Sequence, residues 1–183
     1  MKKGFTLIEI LVAVTIFSLV VSIASGVFVS AIRSQRKSLA SQELLDQTGY
    51  VMDYMSRALR MAKKDIDASC ISSRLNYEKT REDRGIKFMN YQGICQEFFV
   101  QDEQLWEYKK NPSTGEESTL ALTSAGLEVA SLGFALFGQS QFDELQPRLT
   151  IFSIIKGRGL KSEEKPEIKI QTTISQRNLD VKY

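Results

Sequence analysis

From Phe5 to Ile32 the sequence contains no Lys, Arg, Asp, Asn, Gln or Pro, and its single charged residue is Glu9. About 20 apolar residues suffice for a helix to cross the hydrocarbon core of a bilayer, and this run is longer. A buried core helix of a globular domain is usually shorter and amphipathic. The run therefore reads as membrane-spanning, which makes Glu9 the residue that needs an explanation, because ionised side chains inside a bilayer are costly.

Three readings of this N-terminus compete. A secretory signal peptide has a basic start, a 7–15-residue apolar stretch and a small-x-small cleavage site. Met1-Lys2-Lys3 supplies the first, and Ser22-Ile23-Ala24 or Val29-Ser30-Ala31 loosely the last. The apolar run is too long for this class, however, and Glu9 weakens the part that must insert. A plain signal anchor is the second reading. Lys2 and Lys3 favour a cytoplasmic N-terminus, but Arg33, Arg36 and Lys37 sit just past the other end, so charge leaves orientation nearly balanced. Neither reading accounts for Glu9, unless it snorkels to the headgroups from near the helix end.

The third reading accounts for it. Lys2-Lys3-Gly4-Phe5-Thr6-Leu7-Ile8-Glu9 resembles the leader of type IV prepilins, in which a glycine ends a short basic leader ahead of a long apolar segment. The resemblance implies that a dedicated membrane aspartyl peptidase, the prepilin peptidase, cuts between Gly4 and Phe5 and methylates the new Phe5 amine. The apolar segment is then retained. It further implies that Glu9 neutralises the amine of an adjacent subunit during filament assembly. A pair of this kind in low dielectric selects axial register, since a misplaced subunit leaves a charge unpaired. Glycine at position 4 offers a protease an unobstructed backbone.

Beyond Ile32 the helix is expected to continue. Residues 33–66 lack proline, and Leu45, Thr48, Met52, Met55, Leu59, Ala62 and Ile66 recur at spacings of three or four, a half-buried face that packs as core. Residues 67–85 read as an irregular connection. Strand-like runs follow at Ile86–Tyr91, Ile94–Val100, Leu105–Tyr108, Val129–Phe137 and Leu149–Ile155. Gln101-Asp102-Glu103-Gln104 marks a hairpin turn, and Asn111-Pro112-Ser113-Thr114-Gly115 a loop that proline bars from glycosylation. Ile168, Ile170, Thr172 and Ile174 alternate with polar residues as a last, half-buried strand.

One helix followed only by strands argues for an α+β fold with an antiparallel sheet. It also resembles the pilin arrangement, a long N-terminal helix, transmembrane in its first half, packed on a β-sheet ectodomain. The expected divisions are a leader at 1–4, a transmembrane and filament-core half at 5–32, an amphipathic continuation at 33–66 and a β-rich ectodomain at 67–183. Met55-Ser56-Arg57-Ala58-Leu59-Arg60-Met61-Ala62 is similar to the helix ending of some minor pilins and J-type secretion pseudopilins, and the segment Ile170–Asn178 to the ending of many prepilin-like chains. Many major pilins carry a proline in the apolar segment. Here Gly26 stands in that region, and glycine weakens a helix by about 1 kcal/mol without forcing a kink.

Composition narrows the chemistry. The chain has no histidine, which excludes a Ser-His-Asp triad, a Cys-His pair and a histidine-ligated metal site. Cys70 and Cys95 are too distant in sequence for a C-x-x-C motif. If the body lies outside the cytoplasm they have an oxidising compartment in which to form a disulfide; the alternative is two separate buried thiols. Of 24 basic and 22 acidic residues, Lys2 and Lys3 supply the whole +2 surplus. The remainder is balanced and gives no electrostatic basis for general nucleic-acid binding.

Gly157-Arg158-Gly159 lacks the strand–Lys–helix context of a phosphate loop and reads as a hairpin tip. The carboxylate pairs Asp65/Asp67 and Glu163/Glu164 read as solvated charge, and Trp106 and Tyr108 as one face of a strand. No catalytic residue, cofactor or metal site is expected. The sequence thus points to a filament subunit of a pilus, competence or type II secretion system, a minor pilin or pseudopilin and not an enzyme. Its implied partners are prepilin peptidase, other pilin or pseudopilin subunits, a platform protein, an assembly ATPase and the membrane. It would be held in the cytoplasmic membrane by a single pass, with its C-terminal domain outside, and then move into a pilus or periplasmic filament. The competing class is a membrane-anchored extracytoplasmic binding domain or enzyme that never enters a filament.

Overall fold

The computed structural model describes residues 4–72, 75–140, 143, 145–158 and 165–177. It divides into two units, Met1–Ala40 and Ser41–Tyr183. The first helix, α1, runs Leu7–Arg60, without interruption at Gly26 or Gly49. Its first part is long and apolar enough to cross a membrane. In the first unit the apolar side chains are exposed, among them Phe17, Leu19, Ile23 and Phe28.

In the second unit α1 is amphipathic. Leu44, Thr48, Val51, Met55 and Leu59 are buried at spacings of three and four. This corrects the expected stripe at two places: Leu45 and Ile66 are exposed, and Leu44 and Val51 take the core positions that Leu45 and Met52 were expected to hold, Met52 being only half-buried. The helix also stops at Arg60, short of the expected residue 66. The reason is visible at its last carbonyls, which find partners outside the helix. Ala62 N and the Tyr77 hydroxyl donate to Leu59 O at 3.2 and 2.7 Å, and Arg177 N donates to Arg60 O at 2.7 Å. Lys63 N then donates to Met89 O, which turns the chain into a bridge with the sheet.

The strands are β1 (Glu78–Thr80), β2 (Gly85–Met89), β3 (Cys95–Gln101), β4 (Gln104–Lys110), β5 (Glu117–Ala121), β6 (Leu127–Phe137), β7 (Arg148–Gly157) and β8 (Glu167–Ser175). They form two antiparallel sheets instead of one, a five-stranded meander β1-β2-β3-β4-β5 and a three-stranded meander β6-β7-β8. The short β1 and the polar β5 lacked an apolar alternation and were not anticipated. The β3–β4 hairpin turns at Asp102 and Glu103, both at positive φ (50° and 60°), with Gln101 paired to Gln104. Two left-handed residues match the right-handed twist of the flanking strands. The second sheet is fastened to this turn: Val129 N donates to Glu103 O at 2.7 Å, and Arg158 forms an ion pair with Glu103.

One core joins the three layers. Val51, Met55 and Leu59 of α1 meet Ile86, Phe88 and Phe98 of the first sheet and Leu149, Ile151 and Ile174 of the second. Phe88 and Phe98 lie 5.7 Å apart between ring centroids, and Tyr54 meets Phe98 edge-on at 6.0 Å. A small satellite core of Cys70, Ile71, Met89 and Cys95 sits under the connection after α1.

Candidate processing and assembly site

Gly4, Phe5 and Glu9 lie together at the start of α1. A Cβ added to Gly4 would meet nothing within 4 Å, and its φ lies outside the left-handed region. Neither packing nor backbone conformation within the chain calls for glycine at this position. Phe5 is 81% exposed, so its ring has no place in the chain's own core.

Thr6 caps the helix. Its amide donates to Glu9 Oε2 at 3.0 Å and its hydroxyl donates to the same oxygen at 2.9 Å, while Glu9 N donates back to Thr6 Oγ1 at 3.4 Å. This reciprocal arrangement is a capping box, with Thr6 at the N-cap and Glu9 three residues on. It satisfies amides that a helix start leaves without partners, and it sets a carboxylate against the positive end of the helix dipole. Sequence reasoning passed over Thr6, although Thr6-Leu7-Ile8-Glu9 is the S/T-x-x-E signature of such a cap. The box uses Oε2 of Glu9. Among the described residues Oε1 has no hydrogen-bond partner, which leaves one carboxylate oxygen for a donor from outside the chain.

Four other polar side chains of the span bond to the helix's own carbonyls. The hydroxyls of Ser18, Ser22 and Ser25 each donate at 2.8 Å to the carbonyl four residues earlier, and Thr15 donates to Val12 O at 2.8 Å. Among the described residues of the span, Glu9 stands apart from them as the one charged side chain.

Cys70 and Cys95 are joined by a disulfide, with their Cα atoms 5.2 Å apart. Asp65 corrects an expectation: it is buried, not solvated, whereas Asp67 is exposed. Its carboxylate accepts the amides of Ser69, Cys70 and Ile71 at 3.0, 2.7 and 2.8 Å, and the Ser69 hydroxyl at 3.2 Å. Burial alone would push this carboxyl up. The four donors outweigh burial and hold it below the usual aspartate value. Asp65 thus shapes the loop that presents Cys70 to β3, a structural role. Trp106 is half-buried, its indole N–H donating to Gln101 O at 3.1 Å, and Tyr108 is half-buried beside it, while Leu105 and Glu107 face inward. Glu163, Glu164 and Gly159 lie outside the described residues. Among the described residues no group of three or more His, Cys, Asp or Glu side chains is arranged to hold a metal ion.

Comparison with known proteins agrees with this geometry. Residues 1–25 match the family described as the prokaryotic N-terminal methylation motif. Over 62 residues the chain is 39% identical to the pilin-like protein PilA3 of Thermus thermophilus, a match covering 34% of this chain and 27% of that relative, so the chain spans about a quarter of the curated relative's length. No solved structure matches. In its methylation motif, in the long apolar helix that follows it and in its pilin-like relative, the chain is similar to type IV prepilin-like proteins.

Proposed function

We propose that the chain is a structural subunit, a minor pilin or pseudopilin, of a type IV filament serving a pilus, competence or type II secretion system. Prepilin peptidase cuts it between Gly4 and Phe5 and methylates the Phe5 amine. Until assembly it waits in the cytoplasmic membrane by a single pass, its β-rich domain outside. A platform protein and an ATPase then extract it into the filament, where α1 packs among other pilin or pseudopilin helices. Nothing in this reading calls for a catalytic group, cofactor or metal.

The observation that carries the proposal is the condition of residues 4–9. Gly4 and an exposed Phe5 serve no purpose within the chain, which supports their being read by another protein. Glu9 is held by its cap through one oxygen only. After the cut Thr6 and Glu9 both remain, so the box survives processing. Its free oxygen then stands one turn from a newly formed amine, its own or a neighbour's. A rigidly held carboxylate loses little conformational freedom on pairing with the neighbour's amine, which strengthens that pairing.

The test is the intact mass of the full chain co-expressed with a prepilin peptidase. The proposal requires loss of residues 1–4 and gain of one methyl group. A full-length chain, or one cut after Ala24 or Ala31, would contradict it.

A further inference from the structure

Beside the C-terminal turns of α1, within the second unit, lies a cleft of about 420 Å³ that the filament reading does not use. Its floor holds Asn90 and Gln96, which are hydrogen-bonded in a chain to Glu107 behind them, and all three are at least nine-tenths buried. Glu107 Oε1 accepts the Tyr54 hydroxyl and Gln96 Nε2, both at 2.6 Å, and Oε2 accepts Lys109 Nζ at 2.9 Å. Gln96 Oε1 accepts Asn90 Nδ2 at 3.1 Å, and Asn90 Oδ1 accepts the amides of Gln92 and Ile94. The acceptors of the floor are therefore engaged.

The rim differs. Lys109 spends two of its three N–H bonds, on Glu107 and on the Tyr54 hydroxyl at 3.0 Å, and has one left. Arg57 gives one arm of its guanidinium to Asp53 and keeps the rest. Among the described residues the side chains of Gln92 and Tyr91 have no hydrogen-bond partner. The open valences are thus mainly donors, two of the groups are cationic, and the apolar wall is made by Tyr54, Ala58 and Met61. Burial pulls the Lys109 ammonium down, but its bonds to Tyr54 and Glu107 outweigh this and keep it charged, while burial and Glu107 hold the Tyr54 phenol protonated.

Such a cleft suits an acceptor-rich, anionic ligand with a flat apolar face, and it is the size of an ordinary small-ligand site. We propose that it binds one acidic sugar unit of a glycan, a pyranose bearing a carboxylate. The carboxylate takes the free donors of Lys109 and Arg57. Ring hydroxyls bond Gln92, and the apolar face of the pyranose lies on a tyrosine. An acidic peptide fits less well, because its carbonyls need backbone donors and the neighbouring turn has spent most of its own: Asn90 N donates to Ile94 O, Gly93 N to Asn90 O, and Gln92 N and Ile94 N to Asn90 Oδ1.

The inference goes beyond the filament reading and stands independently of whether the leader is cut. Its test is titration of digalacturonic acid, its dimethyl ester and tetraglutamate against the full chain in detergent micelles, read by saturation-transfer NMR. Digalacturonate should bind saturably, and the ester about tenfold more weakly, as expected for loss of one charge-assisted bond. Tyr91→Ala and Gln92→Ala, both at exposed positions, should weaken binding with melting temperature unchanged. Lys109→Met should abolish binding, but it also strands the buried Glu107, so the two exposed variants carry the decision. Absence of saturable binding, equal binding of the ester or of tetraglutamate, or unaltered binding by both exposed variants would overturn the proposal.

Discussion

Gly4 and Glu9 illustrate opposite relations between a residue and its own fold. A Cβ at Gly4 would meet nothing among the described residues, so the cost of replacing it falls on whatever approaches from outside. Gly4→Val should accumulate as uncut precursor, seen as a band that fails to shift when peptidase is co-expressed, with the melting of the β-rich domain unaltered. Glu9 closes the cap and, in the proposed function, also carries the charge that assembly needs, and two substitutions separate these roles. Thr6→Val dismantles the cap but keeps the charge, so it should loosen the first helical turn yet still permit filament entry. Glu9→Val removes both and should be cleaved normally but fail to enter filaments. Equal assembly defects in the two variants, measured in sheared filament fractions, would mean that the cap and not the charge is what assembly needs.

Among the elements, the segment after α1 is held in two ways. Asp65 gathers three amides and a hydroxyl, and the Cys70–Cys95 disulfide ties the same loop to β3. Replacing Cys95 by Ser should lower the stability of the β-rich domain by about 3 kcal/mol, read by denaturant unfolding. Asp65→Ala should cost about 2 kcal/mol or more, because buried amides lose their acceptor. The sign of the pH effect follows from the lowered carboxyl. Asp65 contributes its full stability above the ordinary aspartate value and loses it as pH falls through the lower value of the folded state. An Asp65→Asn variant should therefore lose less stability on acidification than the parent does.

These elements also show where sequence stops being informative. The long helix, the six apolar strands and the tight turn at Asp102-Glu103 announce themselves by run length, alternation and turn chemistry. The helix end did not, because Arg60 is stopped by Tyr77 and Arg177, donors far along the chain. The stripe slipped by one position at Leu44 and Val51 because two adjacent apolar residues offer two faces and only packing chooses between them. Asp65 resembled surface charge since its donors are backbone amides, which every sequence has and none displays. Thr6 is a different case: the S/T-x-x-E cap was legible and lay hidden inside a more conspicuous motif.

Taken whole, the molecule pairs a balanced, disulfide-bonded β-rich domain with an apolar helix segment whose side chains find no cover among the described residues. An uncovered run of Ile, Leu, Val and Phe requires a bilayer or other helices around it. In the proposed function the chain meets both in succession, and the switch between them is the point at which Glu9 would find a donor. The cell that makes the chain should therefore hold it in two pools, one extractable from membrane by detergent and one in shearable filaments.

The central claim is tested most directly by purifying sheared filaments and sequencing the N-terminus of this chain by mass spectrometry, for the parent and for Glu9→Val. The account predicts that the parent is present and begins at N-methylated Phe5, while Glu9→Val begins at the same residue but is found only in the membrane pool. A parent chain confined to the membrane, or Glu9→Val incorporated as fully as the parent, would contradict it.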